Sequence, residues 1–222
     1  MDYRYHDEVI IPLKDVDLRG ELIVPAKAKA LVIFSHGSGS SRMSPRNQMV
    51  AKRLHEKNLG TLLFDLLTPA EDSHYHNRFD IELLAGRLSG VTKWFEKLPL
   101  SRDYCLGYFG ASTGAASALK AASDLPQIRA VVSRGGRPDL VMENLPEVHA
   151  PTLLIVGGLD YDVLKLNQQA YLQLGGVKKM EVIEGATHLF EETGMMDKVT
   201  ELAVEWFQKY LQPALKMGNK IA

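Results

Sequence analysis

The segment Tyr108-Phe109-Gly110-Ala111-Ser112-Thr113-Gly114-Ala115-Ala116 joins a predicted strand to a predicted helix through one serine. Residues 104–109 are mostly apolar, as in a buried strand, and the alanines after Gly114 favour a helix. Residues 110–114 fit G-x-S-x-G, the pattern that holds a serine at the tip of a sharp strand-to-helix turn. Glycine suits both flanks, because strand and helix approach too closely there for a Cβ atom. The alternative is a glycine-rich turn whose serine does no chemistry.

Apolar runs on either side of this segment predict further strands. They lie at residues 30–34, 61–64, 128–133, 152–156 and 181–183. Helices are expected at about residues 45–58 and 81–98, after Ser112, after Asp160 and around residues 199–210. Strand and helix therefore alternate, which predicts an α/β fold with a mostly parallel sheet and helices on both faces. Residues 9–13 and 16–24 predict an antiparallel N-terminal hairpin, and the polar residues 66–78 predict a loop.

Length and composition favour one α/β domain over residues 1–222. Hydrophobic residues make up 45% of the chain, enough for a sizeable core, and charged residues make up 24%. The formal net charge of −1 gives no general attraction to nucleic acid, so no nucleic-acid partner is expected. No apolar run is long enough to span a bilayer, so we expect no membrane partner and a cytoplasmic location. Cys105, the one cysteine, is expected in the core.

Three residue types needed for nucleophilic catalysis follow three different predicted strands. A serine hydroxyl needs a base to take its proton, and the base needs an acid to orient it. Ser112, Asp160 and His188 occur in the order Ser…Asp…His, which is the order of the α/β-hydrolase triad. The acid is the least certain member by sequence, since Asp162 and Asp139 also follow strands. Asp160 is preferred because it comes first after the Gly157-Gly158 turn.

An acyl-transfer reaction also needs two N–H donors that hold the developing oxyanion. The backbone of Thr113 is the first candidate, because it begins the helix after Ser112. Ser38, in the loop after the strand at residues 30–34, is the second. The same loop has a phosphate-binding alternative, since its glycines, its serines and Arg42 precede a helix N-terminus. The loop nevertheless lacks the established nucleotide-binding patterns.

Candidate substrate-binding residues are His36, Arg134 and Arg137. Both arginines follow a strand near the predicted site, where a guanidinium group can hold a substrate carboxylate. The alternative is a local ion pair, for example between Arg137 and Asp139. The histidines at positions 74 and 76 resemble a metal pair only loosely, so no metal site is predicted.

The chain resembles the α/β-hydrolases of the dienelactone hydrolase-like group. The resemblance covers nearly the whole sequence. It is carried by residues 36–39 (His-Gly-Ser-Gly), 110–114, 157–163 (Gly-Gly-Leu-Asp-Tyr-Asp-Val) and 185–188 (Gly-Ala-Thr-His). It implies the α/β-hydrolase fold and places the triad acid on Asp160. The namesake enzymes use a cysteine nucleophile where Ser112 stands here, which favours a general carboxylic-ester hydrolase.

Together these observations predict a cofactor-free serine hydrolase that acts on a small ester or lactone. The competing hypothesis is a non-catalytic ligand-binding or regulatory domain that retains the fold. A non-hydrolytic reaction on the same scaffold is a third hypothesis, because a fold alone does not specify chemistry. The expected partner is a small-molecule substrate, and the sequence does not decide between a monomer and a homodimer.

Overall fold

The computed structural model describes residues 2–212, which form one mixed sheet flanked by helices. Within these residues the strands are β1 (Tyr3–Pro12), β2 (Asp17–Pro25), β3 (Ala30–Ser35), β4 (Gly60–Phe64), β5 (Cys105–Ala111), β6 (Ile128–Arg134), β7 (Thr152–Gly157) and β8 (Lys178–Ile183). The α-helices are α1 (Pro45–Glu56), α2 (Pro69–Asp72), α3 (Ile81–Glu96), α4 (Thr113–Asp124), α5 (Tyr161–Gln173) and α6 (Met195–Tyr210). No helix in this part of the chain has both the length and the hydrophobicity required to cross a membrane.

The strands lie in the order β1-β2-β4-β3-β5-β6-β7-β8. β1 pairs with β2, and β2 with β4, in antiparallel fashion, whereas every later pairing is parallel. This topology confirms the predicted fold class, including the antiparallel N-terminal hairpin. The carboxyl ends of β3, β5, β6, β7 and β8 consequently meet at one edge of the sheet, where the loops of an open α/β sheet form binding sites.

Two apolar cores sandwich the sheet. One core lies between the sheet and helices α3, α4 and α5, and includes Phe95 and Tyr108. The other lies between the sheet and helices α1 and α6, and includes Phe109 and Phe207. Tyr108 and Phe109 occupy opposite cores because successive side chains of a strand point to opposite faces. Full burial of each such apolar side chain contributes about 1.5–3 kcal/mol to stability, so both layers are firmly attached to the strands that carry the loops.

Residues 66–78 differ from the predicted loop. They contain α2 and a 3₁₀ helix at Tyr75–Phe79. A capping box starts α2: the Thr68 hydroxyl accepts the Glu71 N–H, and the Glu71 carboxylate accepts the Thr68 N–H. Such short helices are stabilised by local hydrogen bonds rather than by an apolar face, so hydrophobic periodicity does not reveal them. A 3₁₀ segment at Pro138–Glu147, kinked at Val141, was also missed from the sequence; unlike α2 it packs apolar side chains, Val141 and Leu145, into the core.

Candidate active site

Ser112 lies in the one-residue turn between the end of β5 and the start of α4. Its backbone has φ +53° and ψ −121°, a conformation that is strained for a residue with a side chain. Three backbone hydrogen bonds hold it there. The Ser112 N–H donates to the Arg134 carbonyl at 3.1 Å, and its own carbonyl accepts the N–H groups of Ala115 at 3.0 Å and Arg137 at 3.1 Å. The predicted strand–turn–helix setting of the serine is therefore present.

The glycines on either side of Ser112 permit a close contact between α4 and the sheet. A Cβ atom on Gly114 would lie 2.2 Å from the Ser35 carbonyl oxygen, and one on Gly110 would lie 2.5 Å from Cα of Ala115. A buried hydroxyl pair, Ser35 with Ser117 at 2.7 Å, joins β3 to α4 at the same place. Neither glycine can therefore be replaced without moving the backbone that carries the serine.

His188 and Asp160 form a hydrogen-bonded pair at the carboxyl edge of the sheet. His188 follows β8 and Asp160 follows β7, and the histidine Nδ1 lies 2.6 Å from Oδ2 of the aspartate. Because a carboxylate only accepts, the Nδ1–H donates, which leaves Nε2 of a neutral His188 free to act as a base. The Leu159 N–H donates to the Ala186 carbonyl at 2.9 Å, so the two loops are also joined through their backbones.

The loops that follow β3 and β6, the two strands beside β5, pack close to the predicted triad. A Cβ atom on Gly135, the residue after β6, would lie 3.5 Å from Cε1 of His188. A Cβ atom on Gly37, in the loop after β3, would lie 3.1 Å from Cβ of Ser112. Within residues 2–212, however, no hydrogen bond joins the Ser112 hydroxyl to His188. The structure therefore brings the predicted base and the predicted acid together, and places both at the edge that carries Ser112.

The two alternative aspartates have other surroundings. Asp139 forms a two-pronged ion pair with Arg137, with both N···O distances 2.8 Å. Asp162 is exposed in the first turn of α5. Of the three candidate acids, only Asp160 is bonded to His188 in the described part of the chain.

The two residues predicted to hold the oxyanion contact each other. The backbone N–H of Ser38 donates to the side-chain oxygen Oγ1 of Thr113 at 2.9 Å. The Thr113 N–H opens α4, where the first N–H groups of a helix have no partner within the helix. A small pocket adjoins this contact, lined by Ser38, Gly39, Leu67, Arg78 and Thr113 among others. The side-chain contact was missed from the sequence, and no local pattern signals it.

His36 is held by backbone groups on both sides of its ring. Its Nε2 accepts the Leu66 N–H at 3.1 Å, so the proton is on Nδ1, which lies 3.0 Å from the Gly37 carbonyl. Burial lowers the pKa of His36 below its ordinary value, which favours the neutral ring. Both ring nitrogens are thus bonded to backbone groups around the loop after β3, and because His36 also lines the small pocket beside Ser38, its substrate-binding role stays a prediction.

Arg134 and Arg137, the predicted substrate-binding arginines, differ in their partners. Arg137 donates two hydrogen bonds to Asp139. This is the local ion pair considered in the sequence analysis as the alternative to substrate binding. Arg134 is 5% exposed, and its Nε has no hydrogen-bond partner in the described residues. Burial, assisted by the nearby charge of Arg46, lowers the pKa of Arg134 to about 10. Arg134 therefore keeps a buried positive charge beside the site.

Two alternative ligand sites gain no support. Arg42, considered for a phosphate, donates to both Asp65 and Glu8. Among residues 2–212, no group of three or more His, Cys, Asp or Glu side chains is arranged to hold a metal ion, and the rings of His74 and His76 simply pack 6.0 Å apart.

Comparison with solved structures places this arrangement in a family. The crystal structure of a dienelactone hydrolase from Anabaena variabilis is 48% identical, covers 96% of this chain and 100% of its own, and superimposes with a TM-score of 0.93. The chain belongs to the dienelactone hydrolase family of α/β-hydrolases. This result confirms the resemblance noted in the sequence. No protein-family model matches the sequence.

More distant solved structures have the same α/β-hydrolase fold as this chain. Est1E from Butyrivibrio proteoclasticus is 17% identical, covers 91% of this chain and 98% of its own, and has a TM-score of 0.77. The dienelactone hydrolase-like phosphotriesterase P91, from metagenomic libraries, is 12% identical, covers 94% of this chain and 99% of its own, and has a TM-score of 0.78. At these identities the similarity shows the fold alone.

Two curated proteins of Mycobacterium tuberculosis are also similar to this α/β-hydrolase. Each is 52% identical over 206 residues, which is 92% of this chain, and each carries the provisional description of a phosphoribosyl transferase. The chain spans 46% of the length of these relatives.

Replacement of Gly114 by alanine should disrupt this α/β-hydrolase, because the new Cβ atom would overlap the Ser35 carbonyl. We expect Gly114→Ala to lower the melting temperature strongly or to prevent folding, as measured by circular dichroism. Gly86→Ala is the matched control: Gly86 is in α3, and apart from the nearby backbone of its own helix no atom would lie within 4 Å of the added Cβ. There alanine should stabilise by about 0.5–1 kcal/mol. Equal melting temperatures for the two variants would contradict the close contact of α4 with β3.

Proposed function

We propose that this protein is a serine hydrolase that cleaves a small carboxylic ester or lactone through an acyl-enzyme. The hydrogen-bonded pair of His188 and Asp160, at the same sheet edge as the strained Ser112, is the observation that carries the proposal. A histidine with Nδ1–H fixed by a carboxylate presents a basic Nε2, which is what a serine nucleophile requires.

In the proposed mechanism, the Ser112 oxygen attacks the carbonyl carbon while its proton passes to Nε2 of His188. The carbonyl electron pair moves to oxygen, and the resulting oxyanion is held at the N-terminus of α4 by the Thr113 N–H and by donors next to it. The tetrahedral intermediate then expels the alcohol, which takes the proton from His188. Water, deprotonated by the same histidine, releases the acid in a second addition and elimination.

The names of the relatives support a hydrolase. The 48% identical structure is named a dienelactone hydrolase. Among the more distant structures with the same fold, Pf2001 from Pyrococcus furiosus is named an esterase, and Est1E has been solved with ferulic acid bound. The phosphoribosyl transferase description belongs to proteins about twice as long. The glycine-rich loop after β3 gives it no support here, because the arginines next to it, Arg42 and Arg78, are paired with Asp65 and Asp72.

The test is a panel of p-nitrophenyl esters of increasing acyl length, combined with a fluorophosphonate probe. We expect turnover of short esters, its loss in Ser112→Ala, and a probe adduct at Ser112 alone, because the carboxylate-bound His188 is proposed to activate that serine. Ser123, near the C-terminal end of α4, donates its hydroxyl to the Lys120 carbonyl and supplies the control variant Ser123→Ala, which should retain labelling. An adduct at another serine, or equal turnover in Ser112→Ala, would contradict the nucleophile and favour a non-catalytic domain.

Asp160→Asn should leave the protein folded and lower kcat/KM by about 10²–10⁴, the scale for a base that loses its orienting carboxylate. Asp162→Asn, an identical change two residues further along the chain, should cost less than about tenfold, or roughly 1.4 kcal/mol of transition-state stabilisation. Steady-state kinetics on the best ester measures both. A larger loss in the Asp162 variant, or in Asp139→Asn, would assign the acid elsewhere.

We further propose that Arg134 favours substrates with a carboxylate near the scissile bond. A buried guanidinium without a carboxylate partner is unfavourable, and an anionic ligand would relieve that cost. Strand alternation directs its side chain to the same face as Ala130 and Val132, towards α1, where Arg46 adds a second positive charge. Arg46 itself is paired with the exposed Glu191 at 2.8 Å.

Arg134→Gln should lower kcat/KM for the p-nitrophenyl monoester of succinic acid at least about tenfold more than for neutral p-nitrophenyl butyrate. The reason is loss of a charge-assisted hydrogen bond that only the anionic ester can form. Arg53→Gln is the matched control, because Arg53 is an exposed arginine of α1. Kinetics on both esters gives the ratio for each variant. Equal losses on the two esters would make the role of Arg134 structural.

A further inference from the structure

The Ser38 N–H, one of the two predicted oxyanion donors, is already used. It donates to Oγ1 of Thr113 at 2.9 Å. An N–H group has one proton and makes one well-aligned hydrogen bond. A substrate oxygen that approaches Ser38 directly must therefore compete with the Thr113 side chain.

The Thr113 hydroxyl, in turn, has a proton without an acceptor. In two other buried helical threonines, Thr92 and Thr200, the hydroxyl donates to the carbonyl four residues earlier, at 2.9 and 2.7 Å. Thr113 is the first residue of α4, so no helical carbonyl precedes it by four residues. Within residues 2–212 the only hydrogen bond of its hydroxyl is the one that it accepts from Ser38.

Thr113 is buried next to a small pocket and adjoins Ser112 in the chain. Thr113 is 3% exposed, yet it lines the small pocket beside Ser38 and Gly39. It follows Ser112 directly, and the N-terminus of α4 favours negative charge there. A hydroxyl that accepts a hydrogen bond also becomes a better donor, because hydrogen bonds in a chain polarise one another.

We propose that Thr113 is a catalytic residue whose hydroxyl, together with its own backbone N–H, donates to the oxyanion, while the Ser38 N–H orients that hydroxyl. This inference rests on the proposed hydrolase function and revises its predicted oxyanion hole. The hydroxyl keeps its proton throughout: it forms a hydrogen bond as charge develops on the carbonyl oxygen and releases it when the intermediate collapses. Ser38 is then a positioning residue.

The test is Thr113→Val, which keeps the shape of the side chain and removes the hydroxyl. We expect kcat for the best ester to fall about 10²-fold, at the lower end of the range for a lost oxyanion donor, with KM changed less than about threefold. Thr113→Ser restores the hydroxyl and should recover kcat to within about tenfold of the wild type. Thr200→Val, the same change in a buried threonine of α6, should leave kcat unchanged.

A second measurement separates catalysis from folding. An alkyl boronic acid forms a tetrahedral adduct with Ser112 and so occupies the oxyanion site without turnover. Its inhibition constant should rise in Thr113→Val by about the factor by which kcat falls, whereas inhibition by the neutral product alcohol and the melting temperature should stay unchanged.

The two proposals fail in different ways. Wild-type protein that neither hydrolyses any ester nor binds the boronic acid would contradict the hydrolase function and, with it, the role of Thr113. Normal wild-type turnover with equal or higher kcat in Thr113→Val would contradict only the hydroxyl's role, because the freed Ser38 N–H would then be the donor. Loss of boronic acid binding in Thr113→Ser as well as in Thr113→Val would also contradict the proposed role of the hydroxyl.

Discussion

The close contact of α4 with the carboxyl ends of β3 and β5 is the constraint on which the candidate site depends. Gly110 and Gly114 allow it, and the hydroxyl pair of Ser35 and Ser117 fixes it. The contact forces Ser112 into its strained turn and also brings the loop after β3 against the start of the helix. The positions of the proposed nucleophile and of the proposed oxyanion donors therefore depend on the same feature, a helix packed as near to the sheet as backbone atoms permit.

Much of this arrangement could be predicted from the sequence, because it depends on short patterns. Buried strands read as continuous apolar runs, and the G-x-S-x-G motif identifies the turn before the helix. The carboxyl ends of parallel strands lie at the same edge of the sheet. Asp160, after β7, and His188, after β8, are therefore expected at that edge. The order Ser…Asp…His along the chain suggested that Asp160 and His188 interact, and they are joined by a hydrogen bond of 2.6 Å.

The partners of individual side chains could not be predicted, because they depend on which loops meet in space. Nothing near Arg137 in the sequence decides between a substrate and Asp139, and the fold places Asp139 within reach. The contact between Thr113 and Ser38 joins residues 75 positions apart. His36 similarly accepts the N–H of Leu66, a residue 30 positions further along the chain.

The place of β8 at the border of the sheet has a consequence for dynamics. β5, which leads to Ser112, is fully buried and paired on both sides, whereas β8 is partly exposed and, within residues 2–212, pairs with β7 alone. Edge elements with few buried contacts open locally at a lower free energy than the centre of a domain. Such an excursion would carry His188 away while Ser112 stays in place. Local opening at β8 would thus displace the proposed base without global unfolding, and the amides of β8 should exchange with solvent long before those of β5.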